Sequence, residues 1–487
     1  MAERKLPIGV QSFEIMRENG YVYVDKTAYM DSLIKNGRQY FLSRPRRFGK
    51  SLLLSTLKAF FEGRKDLFQG LKIEELEEDN PLAWEKYPVF YFDFNTADFE
   101  RENALEKILD DHLKSWEAIY GDEYKDDILE LRFQHLLKLA KEKTGKRAVV
   151  LVDEYDKPLF DDSGDKTRNK NLFKGFFSAL KSYDSYLEFV LITGVTKFTK
   201  VSIFSDLNQL NDISLDARYA GICGITEEEL TANFEPEIQA MAKDNGLSYE
   251  ECLCTLRKNY DGYHFHQDGE GVYNPFSLLN AFDKKEFGSY WFSTGTPTFL
   301  VDKLRKSRFD IKEVTKGTVY ADAIALSDYR AENPDPIPLF YQTGYLTIKG
   351  YDRKYKSYEL GYPNDEVKYG FLRSLTGIYL QEEEQNPLDV RGFGNDIEHA
   401  NMDSLRDRFI SLFARLPYTT DEKPVEQNFQ NVVYIVFMLL GEFVHTEVHS
   451  AKGRADCIVE TKNYVYIFEF KRDESADVAL KQIEDQG

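Results

Sequence analysis

Nine residues constrain this chain more than any others: Ser43-Arg44-Pro45-Arg46-Arg47-Phe48-Gly49-Lys50-Ser51. They follow the apolar run Tyr40-Phe41-Leu42 and lead into a stretch of helix composition from Leu52 to Phe61. A strand, a tight loop and Gly-Lys-Ser at a helix start make the arrangement that wraps a triphosphate. Backbone amides of the loop and helix N-terminus face the anion. Lys50 can reach the β- and γ-phosphates, and the Ser51 hydroxyl can bind Mg²⁺. On this reading Arg46, Arg47, Phe48, Gly49, Lys50, Ser51 and Leu52 form an ATP site. One position departs from the usual loop: Arg44 stands where the first glycine is expected. Glycine normally serves there because the loop needs unusual backbone angles and close approach to phosphate. The arginines make this loop stiffer and more cationic, with extra arginine contact to phosphate or a neighbouring acid as the expected consequence.

Gly-Lys-Ser alone is short enough to arise by chance. A second signal lies about 100 residues downstream, at Ala148-Val149-Val150-Leu151-Val152-Asp153-Glu154. The apolar run suits a strand buried on both faces of a parallel sheet. Its two acids emerge at the carboxyl end, where open α/β sheets bind ligands. Asp153 would hold a water on Mg²⁺, and Glu154 would orient or deprotonate the attacking water. The bland alternative, a core strand ending in solvated acids, loses ground once the phosphate loop is counted. A further apolar run, Leu187 to Gly194, ends with Thr193, which reads either as a sensor of the γ-phosphate or as an ordinary strand-end threonine.

The C-terminal region holds another constellation. Ala455-Asp456-Cys457-Ile458-Val459 and Tyr464 to Lys471 read as strands joined by the turn Thr461-Lys462-Asn463. Asp456 and Glu469 lie 13 apart (469 − 456) across this hairpin, and Glu469 and Lys471 share a strand face. Asp456 and Glu469 can bind Mg²⁺ or Mn²⁺, with Lys471 orienting or activating the attacking water. Glu426, before an apolar helix, is a further candidate ligand, and Gln482 falls on a following helix. The plain alternative is an exposed hairpin with a cross-strand ion pair. His264 and His266 alternate in Tyr263-His264-Phe265-His266, but no third metal ligand accompanies them.

Length and composition set the outer limits. At 487 residues, two to four domains are expected. No run of about 18 apolar residues predicts a membrane span, and the N-terminus leads into no signal-peptide core. Four cysteines are too few for a disulfide framework, so a reduced, cytoplasmic protein is expected. The formal net charge of −20 argues against a general nucleic-acid coater, though not against a local basic groove or a protein partner. Runs such as Glu74 to Asp79 read as solvated acidic surface.

Along the chain, residues 1–225 alternate strand-like and helical segments and predict the nucleotide-binding core. Thr226 with Glu229 has capping-box form and opens a helical lid over 226–332. The prolines from Pro334 to Pro338 mark a linker. A connector of winged-helix type is expected over 333–410, with Leu339–Ile348 and Ser357–Leu360 as two strands. Residues 411–487 make the last domain.

Leu6-Pro7-Ile8-Gly9, Tyr23-Val24-Asp25-Lys26-Thr27, Arg44 to Ser51 and Val152-Asp153-Glu154-Tyr155-Asp156 resemble a bacterial family, the AAA-ATPase-like proteins with a C-terminal PD-(D/E)xK nuclease-like domain. The phosphate loop of that family itself reads Arg-Pro-Arg-Arg-Phe-Gly-Lys-Ser, so the missing glycine is a family trait. The resemblance implies an α/β fold: an AAA/STAND-like P-loop NTPase parallel sheet, a helical lid, a small connector and a C-terminal restriction-endonuclease-like domain. It favours Thr193 as sensor and Asp456, Glu469 and Lys471 as nuclease residues. It also implies that the nuclease fold continues past Gln482 with another helix and strand, so a truncated domain is expected. The activity implied is ATP hydrolysis coupled to metal-dependent cleavage of DNA or RNA. The alternative is a non-cleaving, ATP-gated signalling or scaffold protein with a degenerate nuclease fold. A homo-oligomer or protein partner fits either, and Arg168 and Arg218 are candidate arginine fingers.

Overall fold

The apolar runs of the first 200 residues become adjacent strands of one parallel sheet. The computed structural model describes residues 4–95, 98–99, 101–160, 166–197, 209–294, 319–327, 335–380, 389–414, 425–440, 443–449, 454–469 and 476–486. Two short helices, α1 (Phe13–Glu18) and α2 (Thr27–Asn36), precede β1 (Gln39–Ser43) and the phosphate-loop helix α3 (Lys50–Phe61). Then come β2 (Val89–Asp93), α4 (Ala104–Tyr120), α5 (Leu129–Thr144), β3 (Ala148–Asp153), α6 (Lys166–Phe177), β4 (Leu187–Gly194) and the short β5 (Asn211–Asp212). The sheet runs β2-β3-β4-β1-β5, all parallel. Leu42 pairs with Thr193, and Val152 with Ile192. The threonine strand is therefore wedged between the phosphate-loop strand and the acidic strand, and all three end at one edge.

Both faces are covered, which explains why β3 is apolar from Ala148 to Val152 rather than alternating. Helix α3 buries Leu53, Leu54, Leu57, Phe60 and Phe61 at helical spacing. Phe90 and Phe92 of β2 pack edge-on against Trp116 of α4 and Phe133 of α5. Arg132 joins these two helices, donating to both carboxylate oxygens of Glu117 at 2.7 and 2.9 Å and to Asp110 at 2.7 Å.

Helices α7 (Glu227–Asp244), α8 (Tyr249–Tyr260) and α9 (Pro275–Lys284) follow. Thr226 accepts from the Glu229 amide at 3.2 Å while Glu229 accepts from the Thr226 amide at 2.8 Å, the reciprocal cap expected from the sequence. Their core, including Leu230, Phe234, Leu256, Tyr260 and Leu278, also takes in Leu6, Ile8, Val22 and Val24 from the N-terminus.

The next stretch differs from the two-strand expectation. Ile337–Thr343 is a helix, α10, and only β7 (Thr347–Asp352) and β8 (Ser357–Gly361) form a hairpin. Leu339, Phe340 and Thr343 lie at helical spacing and are all buried, and Gly344, at φ +91°, ends the helix. A run of apolar residues this short does not distinguish strand from buried helix by pattern alone. Val319–Asp322, β6, completes a sheet of order β6-β8-β7.

Two compact units emerge: one of residues 1–291, 320–333 and 337–364, the other of 292–319, 334–336 and 365–487. The second holds α11 (Asp365–Leu380), α12 (Val390–Glu398), α13 (Met402–Phe413), α14 (Val425–Leu439) and α15 (Ala476–Gln486). Its antiparallel sheet runs β11 (Val465–Phe468), β10 (Arg454–Glu460), β9 (Phe443–His449). Its core joins Phe393, Ile397, Leu405 and Phe409 to Val436, Phe437, Cys457 and Val459. Residues 333–410, read from sequence as one connector, are thus shared between the two units. Among the described residues, no helix is long and apolar enough to cross a membrane.

Candidate nucleotide site

The loop from Arg44 to Gly49 leaves β1 and turns into α3. Gly49 adopts φ +98° at the helix N-cap, and no side chain caps the amides beyond it. An uncapped N-terminus at the carboxyl edge of a parallel sheet is an anion site by geometry and dipole. The second left-handed position in the loop is Arg47, at φ +65°. Arg44 is not in the left-handed region, so the position expected to demand glycine does not need its freedom.

Arg44 has another task. Its amide donates to Gly194 O at 3.1 Å. Its guanidinium is 1% exposed and donates to Ser43 O (2.8 Å), Ser214 O (2.8 Å) and Tyr219 O (3.0 Å). It also lies 4.0 Å over the Phe265 ring. This arginine clamps the loop from inside, and its guanidinium contacts are protein carbonyls and an aromatic face. Arg47 stacks 3.8 Å over Phe276 of α9, and Arg46 is exposed. Phe48 is buried between Tyr263 and Phe265, and the Trp291 indole donates to Arg46 O at 3.1 Å.

Lys50 and the acids converge. Lys50 Nζ donates to Arg44 O (3.1 Å) and Pro45 O (3.2 Å), and lies 3.3 Å from Glu154 Oε1. Asp153 is 1% exposed; its carboxylate lies near the Ser51 hydroxyl and accepts from Thr193 Oγ1 at 2.8 Å. The Tyr91 hydroxyl is 3.5 Å from its other oxygen. Burial raises the Asp153 carboxyl above its ordinary range, opposed by the nearby Ser51 hydroxyl. The expected Lys50, Ser51, Asp153, Glu154 and Thr193 are therefore neighbours, and Leu52 lines an adjoining apolar cavity.

Glu154 stands at φ +51°, a left-handed conformation that costs a non-glycine residue about 1–2 kcal/mol. Asp156, to which no role was read from the residues alone, lies beside this turn. It is 1% exposed and accepts from the Val195 amide (3.1 Å), the Thr196 amide (2.7 Å) and Thr196 Oγ1 (2.9 Å). Burial, then the Glu154 charge, push its carboxyl up to about 6. The available signal was three acids in four positions, Asp153-Glu154-Tyr155-Asp156, directly after a buried strand.

The two candidate arginine fingers are engaged elsewhere: Arg218 with Asp216 at 2.6 Å and Arg168 with Glu106 at 2.7 Å. His264 Nδ1 is 3.1 Å from Gly269 O, and His266 Nδ1 accepts from the Asp268 amide at 3.1 Å. Among the described residues, no group of three or more His, Cys, Asp or Glu gathers as a metal site.

In the C-terminal unit, Cys457 pairs with Phe468 in antiparallel register. Asp456 precedes Cys457 on β10, and Glu469 follows directly after the end of β11 at Phe468. Glu469 is half-buried. Glu426 is the second residue of α14 and Gln482 lies on α15, with the side chains of Glu426, Asp456 and Gln482 outside the description; Lys471 falls outside the described residues altogether.

Comparison with known proteins agrees with this layout. A family described as "Predicted AAA-ATPase" matches residues 7–204, and one described as "PD-(D/E)XK nuclease superfamily" matches residues 424–487. A protein of Azotobacter chroococcum mcd 1, described as "Uncharacterized protein in vnfD 5'region", is 38% identical over 503 aligned residues, spanning 100% of this chain and 93% of the relative. Parallel sheet, phosphate loop, acid pair and C-terminal hairpin together place this chain in the AAA-ATPase-like family that carries a PD-(D/E)XK nuclease-superfamily domain at its C-terminal end.

Proposed function

We propose that the first unit binds ATP with Mg²⁺ and hydrolyses it, and that the nucleotide state governs a metal-dependent nuclease in the second unit that acts on DNA or RNA. The observation that carries this reading is the convergence of Lys50, Ser51, Asp153, Glu154 and Thr193 beside the open N-terminus of α3. The triphosphate would lie along the loop amides, with Lys50 on its β- and γ-phosphates. The Ser51 hydroxyl lies close to the Asp153 carboxylate. Two such oxygen donors plus phosphate and water suit Mg²⁺, which keeps several waters and takes few protein ligands. Bound there, the ion would neutralise phosphate charge. An apolar pocket lined by Val24, Gly49, Leu52 and Ile222 among others would take the base.

The Lys50–Glu154 pair suggests how hydrolysis is held in check. Lys50 now faces Glu154 and two loop carbonyls. A γ-phosphate competes for that ammonium and frees the Glu154 carboxylate. Glu154 then takes a proton from water as the water oxygen bonds to the γ-phosphorus. The bond from that phosphorus to the bridging oxygen breaks, leaving ADP and phosphate. Thr193, donating to Asp153, would hold the acid strand against this centre.

Nucleotide titration and phosphate release test the first half. Lys50→Ala should lose ATP binding, and Glu154→Gln should bind ATP yet turn over about 10²–10⁴-fold more slowly. Wild-type protein that binds no nucleotide would refute the assignment. For the second half, the full chain with Mg²⁺ or Mn²⁺ is assayed on single- and double-stranded DNA and RNA, with and without ATP. Asp456→Ala and Lys471→Ala should abolish cleavage and spare ATPase turnover. Absence of cleavage under every condition would leave the ATP-gated, non-cleaving alternative.

A further inference from the structure

We propose that Asp156 is a positioning residue for hydrolysis, one that sets Glu154 and Thr193 in register by tying the turn after β3 to the turn after β4. The inference rests on the ATPase reading above.

Glu154 is the only residue between the end of β3 and the pair Tyr155-Asp156. Both members of that pair grip the β4 exit. The Tyr155 amide donates to Thr193 O at 3.0 Å, and the Tyr155 hydroxyl donates to Thr196 O at 2.8 Å. Asp156 Oδ2 accepts the Val195 amide, the Thr196 amide and the Thr196 hydroxyl, at 3.1, 2.7 and 2.9 Å. The chain is thus held on β3 by the sheet and on β4 by five hydrogen bonds, with Glu154 spanning the gap at φ +51°. A residue in that conformation persists where its surroundings over-determine it.

The latch is tightly fitted. Asp156 and Thr196 are 1% and 0% exposed, and Tyr155 is 0% exposed. Gly194 sits beneath them: a Cβ there would meet Asp156 Oδ1 at 2.7 Å and Tyr155 Cδ1 at 2.6 Å. Asp156 Oδ1 is buried without a hydrogen-bond partner. Such a carboxylate is a poor choice for stability alone. Three amide and hydroxyl donors aimed at its other oxygen make it a good choice for fixing geometry. Asp156 itself touches neither Lys50 nor a phosphate-loop amide; it acts through the direction in which Glu154 points.

ATP turnover by full-length Asp156→Ala, Asp156→Asn and Thr196→Val tests the idea, with nucleotide affinity measured alongside. Asp156→Ala should lower kcat at least 30-fold with KM for ATP within threefold of wild type. Asp156→Asn keeps an acceptor for the two amides and should recover kcat to within about fivefold. Thr196→Val, which removes one donor, should lower kcat three- to tenfold at unchanged KM. If Asp156→Ala is too unstable to assay, the ordering of wild type, Asp156→Asn and Thr196→Val decides. Wild-type kcat in both of those variants, or kcat and KM changing together in proportion, overturns the positioning role while leaving the ATPase intact. A wild-type protein without ATP turnover overturns both.

Discussion

At the residue scale, the loop arginines divide their labour by burial. Arg44 satisfies three carbonyls and faces an aromatic ring, so it substitutes for glycine by bracing the loop rather than by bending it. Removing it leaves Ser43 O, Ser214 O and Tyr219 O without that donor and opens a void. Arg44→Ala should therefore cost about 3 kcal/mol or more in denaturant unfolding. Arg44→Gly should fail to restore stability, although it recreates the usual loop spelling; a stable Arg44→Gly would contradict the clamp. Arg46 and Arg47 are both exposed, but Arg47 stacks on Phe276, which leaves Arg46 to reach a phosphate oxygen. Arg46→Ala should weaken ATP affinity about tenfold, the worth of one charge-assisted contact, and isothermal titration reads this directly. Unchanged affinity would exclude the contact.

At the element scale, the outer side of the loop is enclosed by parts of the chain far away in sequence. Trp291 holds Arg46 O, and its ring lies 5.4 Å from Tyr345. Gly344 abuts Pro45 so closely that a Cβ would come within 2.8 Å of the proline ring. Trp291 is also the last residue of its segment before the chain enters the second unit at Phe292. A nucleotide that tightens the loop should therefore alter the indole hydrogen bond. Of three tryptophans, Trp291 is the one bonded to the loop. Adding ATP should change intrinsic emission in wild type, and most of that change should vanish in Trp291→Phe. An identical response in the two proteins would disprove loop-to-indole coupling.

At the scale of the whole molecule, two units with separate cores predict two unfolding transitions in calorimetry. ATP with Mg²⁺ should raise only the transition of the first unit. A ligand at one hundred times its Kd adds about 2.7 kcal/mol, and Lys50→Ala should show no rise. One transition that moves as a whole in wild type would mean the units unfold together. The surface acids behind the −20 net charge leave any nucleic-acid contact to a local site, so engagement should depend on divalent metal rather than on general attraction.

Strands β1, β3 and β4, the Thr226 cap and the phosphate loop were legible from the residues, because each depends on neighbours in sequence: an apolar run, a capping pair, a Gly-Lys-Ser turn. The helix at Ile337–Thr343 was misread as strand because burial, not periodicity, decides so short an apolar run. The clamp at Arg44 and the latch at Asp156 were invisible for a deeper reason. Their partners, Ser214 and Tyr219 for one and Val195 and Thr196 for the other, lie some 40 to 175 positions away. Local chemistry names the groups able to bind a nucleotide. Only packing of the sheet, which places β4 between β1 and β3, settles which of them meet, since hydrogen bonds act over ångströms and not along the chain.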